Sequence, residues 1–229
     1  MNQVVDLESW PFKTGIAYVL TGYGKTGSVE SIRIWPPHTD DDKAPSLISY
    51  TQDDGPPLWG FQVKSGMQAF AWTKLLLDRS LDHRSFNDEI LEKVTASGIL
   101  KLPNGKGAVD VVADFLSQIH AHIIQTIGQF AFVDLKFVPV DFWFTIPASW
   151  SEEAQCLMRH AIKMAGIGSS PLHQVRSTTE PEAAALAVFH DGRFNLEVGW
   201  NTNHNLNSIY WVTRPAKESW FVTVGVAQW

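Results

Sequence analysis

Four groups of side chains have the types that chemistry needs. Gly24-Lys25-Thr26 has the ending of a phosphate-binding loop. The Walker spacing needs another glycine where Val19 stands, and a helix afterwards. The next segment is V-E-S-I-R-I-W from Val29 to Trp35, a strand pattern, so Gly22–Ser28 is expected to be the turn of a hairpin. Asp40-Asp41-Asp42 could offer oxygen to a cation, but it lacks EF-hand spacing and reads as a solvated loop. His120 and His122 fall two residues apart in a helical stretch, hence on different faces, and cannot easily share a metal. Cys156 has no motif around it, and a buried structural thiol is its expected role. No metal site is expected.

Composition narrows the class. A chain of 229 residues with 45% hydrophobic residues can bury one large core or two small ones. A net charge of −6 argues against a nucleic-acid surface. A single cysteine excludes an internal disulfide framework. No apolar run is long enough to span a membrane, and the first residues lack the basic start and apolar core of a signal peptide. The expectation is a soluble cytoplasmic protein with no nucleic-acid or membrane partner.

The elements that must position any site come from periodicity. Gly15–Leu20 is nearly all apolar, as in a strand covered on both faces. Ser46–Tyr50 and Leu58–Val63 read as further strands, and Ala69–Asp78 as a helix carrying Lys74. Phe86–Ala96 could form a short helix. Val109, Val112, Ala113, Leu116, Ile119, Ile123 and Ile127 mark a long amphipathic helix. Val140, Phe142, Phe144 and Ile146 alternate as a strand that Pro147 ends. Ala154, Leu157, Met158, Ala161, Ile162 and Ala165 then recur at helical spacing, with Ser149 or Ser151 as cap and Gly166 at the C-terminal end. Val175 opens another extended piece. Thr179-Glu180-Pro181-Glu182 reads as a capping box opening a last helix. Ser208–Thr213 and Trp220–Ala227 look like strands.

The strand–helix–strand–helix unit carries a resemblance. T-I-P-A-S-W-S-E-E-A-Q (145–155), A-G-I (165–167) and T-E-P-E-A-A-A-L (179–186) look like the nucleotide-binding domain of the seventy-kilodalton heat-shock chaperones. They are closest to its divergent heat-shock-70-like relatives. I-W-P (34–36), K-A-P-S-L-I-S-Y (43–50) and W-G-F-Q-V (59–63) extend the likeness, which covers roughly residues 15–190. It implies an α/β fold: one actin-like, ribonuclease-H-like lobe with a mixed sheet, flanking helices and a long-helix subdomain. Residues 1–190 would form that first lobe, and 191–229 a β-rich tail with no family counterpart. The sheet would hold strands near Gly15, Ile32, Ser46 and Phe142.

The resemblance also implies a site. Lys74 resembles the lysine that reaches the γ-phosphate. Glu180 resembles the glutamate near metal and water, and Pro147 the switch proline. Thr14 and Gly15 close the segment matching the first phosphate loop. The implied ligands are ATP and magnesium, held between two lobes. Where the family has D-x-G-T-T-x-S-G, this chain has Glu8-Ser9-Trp10-Pro11-Phe12-Lys13 before Thr14. Trp10 fills space a phosphate needs, and Pro11 removes an amide donor. The second family loop, D-A-G-G-G-T-x-D, has no counterpart after Phe189. The expectation is therefore an ATPase-related lobe with weak or lost ATP binding and no efficient hydrolysis alone. The alternative is a non-catalytic remnant acting by protein contact or self-association through the lobe face a second lobe would cover.

Overall fold

The computed structural model describes residues 13–20, 29–50, 55–71, 73–80, 102–190 and 220–225. The expectations for Glu8–Phe12, Gly22–Ser28, Phe86–Ala96 and Ser208–Thr213 lie outside them. The architecture is mixed α/β. Its main sheet contains β1 (Lys13–Val19), β2 (Val29–Ser31), β5 (Ala44–Pro45), β9 (Val140–Ile146), β10 (His173–Thr179) and β11 (Trp220–Gly225). The order is β10-β9-β11-β1-β2, with β5 pairing the start of β1. β9, β10 and β11 run parallel, while β1 is antiparallel to β11, β2 and β5. The first residues of β1 therefore lie at the same sheet end as the last residues of β9 and β10. Gly15 pairs with Gly225, one level beyond the Val224–Phe144 pair.

Alternation decides which face of β9 is covered. Val140, Phe142, Phe144 and Ile146 are buried against α1 (Ala108–Ala131) and α2 (Glu152–Met164). The α1 stripe Val112, Leu116, Ile119, Ile123 and Ile127 enters that core, as do Met158, Ala161 and Ile162 of α2. The long helix thus shares the core of the sheet instead of building a subdomain of its own. Its first turns, at Val111, also meet Ile48 and Phe70 of a second, smaller sheet.

That smaller sheet corrects three expectations. The strand expected at Ser46–Tyr50 forms as β6 (Leu47–Ser49) but outside the main sheet, pairing with β7 (Leu58–Trp59) and β8 (Phe70–Ala71), while only the preceding β5 joins β1. The strand expected over Leu58–Val63 stops at Trp59. Gly60 turns the chain at a φ of +54°, and a 3-10 turn spans Gly60–Gln62. The helix expected over Ala69–Asp78 is absent. Phe70 and Ala71 instead pair with Ile48 and Leu47, and only a 3-10 turn, Leu75–Leu77, remains. Pairing with a neighbouring strand outweighed local helix propensity there.

The 29–35 strand is also interrupted. Ile34–Trp35 (β3) leaves the main sheet to pair with Thr39–Asp40 (β4), turned by Pro36-Pro37, where His38 N donates to Trp35 O at 2.7 Å. Asp40 and Asp42 are solvated, as expected, and all three aspartates also face bases. Arg33 bonds Asp40 and Asp42, and Lys13 lies 3.3 Å from Asp41. Cys156 is exposed, not buried, because it sits on the outer side of α2.

The caps are where the sequence predicts them. Ser151 Oγ accepts from Ala154 N at 3.2 Å, and Gly166 comes after α2 with a φ of +77°. Thr179 N donates to Glu182 Oε2 at 2.9 Å and Thr179 Oγ1 accepts from Glu182 N at 3.4 Å, closing the capping box of α3 (Glu180–His190).

The two histidines of α1 do point apart. His120 packs edge-on to Phe142 and lies near His173, while His122 stacks on Trp35 and bonds Ile34 O at 3.0 Å. Burial pushes both imidazoles below their ordinary value of 6.5, and His173 adds to the shift at His120. The unfolded chain then takes up these protons first as pH falls. The stability they contribute is complete above pH 6.5 and is lost below it. Thermal melts should show Tm falling between about pH 7.5 and pH 5, with a shallower slope in His122→Phe. An unchanged slope in that variant would remove His122 from the account.

Candidate functional site

The carboxyl ends of β9 and β10 gather the candidate residues. β10 passes directly into α3, so Glu180 stands at the first helical position, beside the Thr179 cap. β9 ends at Ile146, and Pro147 begins the connection to α2, with Pro147 O accepting from Trp150 N at 3.3 Å. Lys74 is carried by the turn before Leu75–Leu77. Its Nζ lies 2.9 Å from Glu180 Oε1, 3.4 Å from Thr145 O and 5.5 Å from the centre of the Trp150 ring. Lys74 and Glu180 thus meet at the end of the sheet where β9 runs into Pro147.

The pair is mostly withdrawn from water, with side-chain exposures of 10% for Lys74 and 26% for Glu180. Burial drives the Lys74 amine below its ordinary value, and the charge and hydrogen bond of Glu180 oppose that shift. A lysine in such a place needs a counter-charge, because an isolated buried ammonium is costly. Glu180 supplies it, Thr145 O adds an acceptor, and the Trp150 ring adds a cation–π contact. The indole Nε1 of Trp150 is itself buried and has no acceptor among the described residues.

Thr14 and Gly15 reach the same sheet end but lie inside the β1 ladder. Thr14 is fully buried and its hydroxyl shares a 2.7 Å hydrogen bond with Ser46 Oγ. The space a Cβ would take at Gly15 is bounded by the Lys43 side chain at 3.4 Å. Neither residue, in these contacts, makes a phosphate cradle. Among the described residues no cluster of three or more histidine, cysteine, aspartate or glutamate side chains could hold a metal, and no helix is long and apolar enough to cross a membrane. ATP and magnesium therefore fit only partly: among the described residues a lysine and a glutamate are present and a backbone cradle is not.

Sequence reasoning missed the second half of the site. Local pattern puts Asp78 at the end of a helix, yet its carboxylate is fully buried. It accepts from Ser80 N at 3.0 Å, Ser80 Oγ at 2.6 Å, Ser151 N at 3.2 Å and Ser151 Oγ at 3.1 Å. Burial pushes this carboxyl up, but those hydrogen bonds outweigh it and hold the group below its ordinary range. Only the cap at Ser151 was legible locally. Its bond to Asp78 spans 73 positions.

The Lys74–Glu180 contact can be measured by a double-mutant cycle. Lys74→Met alone removes the cation that Glu180 faces, and Glu180→Gln alone removes the counter-charge of the ammonium, so the two single losses should sum to more than the loss in the double variant. Denaturant unfolding should give a coupling energy of about 0.5–3 kcal/mol. Strict additivity would show that the contact contributes nothing.

No protein-family model matches this chain, and none of the curated proteins matches it either.

Proposed function

We propose that this chain is a divergent heat-shock-70-like lobe of the actin-like, ribonuclease-H-like type, which binds ATP with magnesium weakly or not at all and does not hydrolyse it efficiently alone. The observation that carries the reading is the meeting of Lys74 and Glu180, 106 positions apart, at 2.9 Å. The resemblance names these two and Pro147 as lysine, glutamate and switch proline of one site. The mixed sheet with helices packed on it agrees with such a lobe. A cytoplasmic, soluble setting is part of the same reading.

Low turnover is expected from the same geometry. The Lys74 ammonium already holds a carboxylate, so an entering phosphate has to compete with Glu180 for it. Thr14 spends its hydroxyl on Ser46. Losing one preorganised donor costs about 10²–10³ in rate, and here the loop residues before Thr14 lack the family's glycines. Phosphate release from magnesium-ATP by purified protein should match that of Lys74→Ala and Glu180→Ala, with weak or no heat of binding by calorimetry. Magnesium-dependent turnover abolished by both substitutions would restore an efficient enzyme.

A second reading, protein contact without catalysis, is favoured by the surface at the end of α1. Phe132 is 95% exposed and Phe137 78% exposed, with Phe130 and Leu172 also uncovered. Large apolar side chains left in water promote association. Sedimentation over a concentration series should show self-association that Phe132→Ser with Phe137→Ser reduces. A concentration-independent monomer would remove this reading.

A further inference from the structure

We infer that Asp78 is a positioning residue that fixes Lys74 against Glu180. Lys74 is carried on a single 3-10 turn, too short to hold its own shape. Two side chains of that turn reach into the protein. Leu77 enters the main core, a contact that is apolar and without direction. Asp78 makes four directional bonds, two of them to Ser151 at the start of α2. Ser151 is the neighbour of Trp150, whose ring faces the Lys74 ammonium. The clamp therefore joins the segment that carries Lys74 to the segment that receives it. The carboxylate also stands at the N-terminus of α2, where the helix dipole favours negative charge. Asp78 and Lys74 lie one turn apart, so releasing the first lets the second swing away from Glu180.

The functional meaning of this placement rests on the reading of Lys74 as a working residue. The test reads placement alone, so a failure of ATP to bind leaves its result intact. Surface-amine acetylation of the full chain, read by mass spectrometry, reports how accessible Lys74 is relative to the exposed Lys136 and Lys163. In Asp78→Ala the Lys74 rate should rise about tenfold, the change that about 1.4 kcal/mol of lost closure represents. Asp78→Asn, which keeps one acceptor oxygen, should fall between. Ile162→Val, a core change in α2, should leave Lys74 within about twofold of the parent at a comparable loss of Tm, since Ile→Val costs about 0.5–1.5 kcal/mol. If Asp78→Ala does not fold, Ser151→Ala, which removes the 3.1 Å bond between the two segments, is scored by the same criterion. A folded clamp variant with unchanged Lys74 labelling overturns the inference, as does an equal rise in Ile162→Val.

Discussion

The structure depends on the burial of one stripe along α1. From Val111 to Ile127 this 24-residue helix lays its apolar side chains against both the large sheet and the small one. Each fully buried leucine or isoleucine there contributes about 1.5–3 kcal/mol relative to exposure. The same helix turns His120 toward Phe142 and His122 toward Trp35 and Trp59. A single rigid element thereby sets the small sheet in place on the large one. Because the Lys74 turn comes directly after β8 of that small sheet, the position of Lys74 is inherited from the packing of α1.

What remains is to hold a cation inside a mostly apolar setting. The fold solves this with a carboxylate at a helix start, a backbone carbonyl at a strand end and an aromatic face. Each sits where a regular element terminates, which is where backbone groups are free to serve side chains. In the resulting pair the ammonium is nearly closed to water and the carboxylate is partly exposed. An enzyme's lysine must be held, yet able to let go of its internal partner when substrate arrives. The pair favours holding, which agrees with the weak or absent turnover proposed above.

Much of this was legible in local sequence. The β9–α2–β10–α3 unit, the caps at Ser151, Gly166 and Thr179, and the buried stripe of α1 are set by periodicity and capping chemistry, both of which act over a few residues. The same local rules misassign Ala69–Asp78, whose residues are pulled into a strand pair and a 3-10 turn by Leu47 and Ile48. They also place Cys156 in the core, although the α2 face it occupies is the outer one.

The amino-acid sequence by itself determined which elements form around Pro147 and which residues could serve a site, because propensity, alternation and capping are short-range. Only the tertiary structure decided that β11 enters the sheet between β9 and β1, and that Thr14 is spent inside a ladder. It alone revealed that Asp78 clamps the turn of Lys74 to the start of α2. Those outcomes depend on hydrogen bonds between residues tens of positions apart, and no local pattern encodes which distant partner a buried polar group will find.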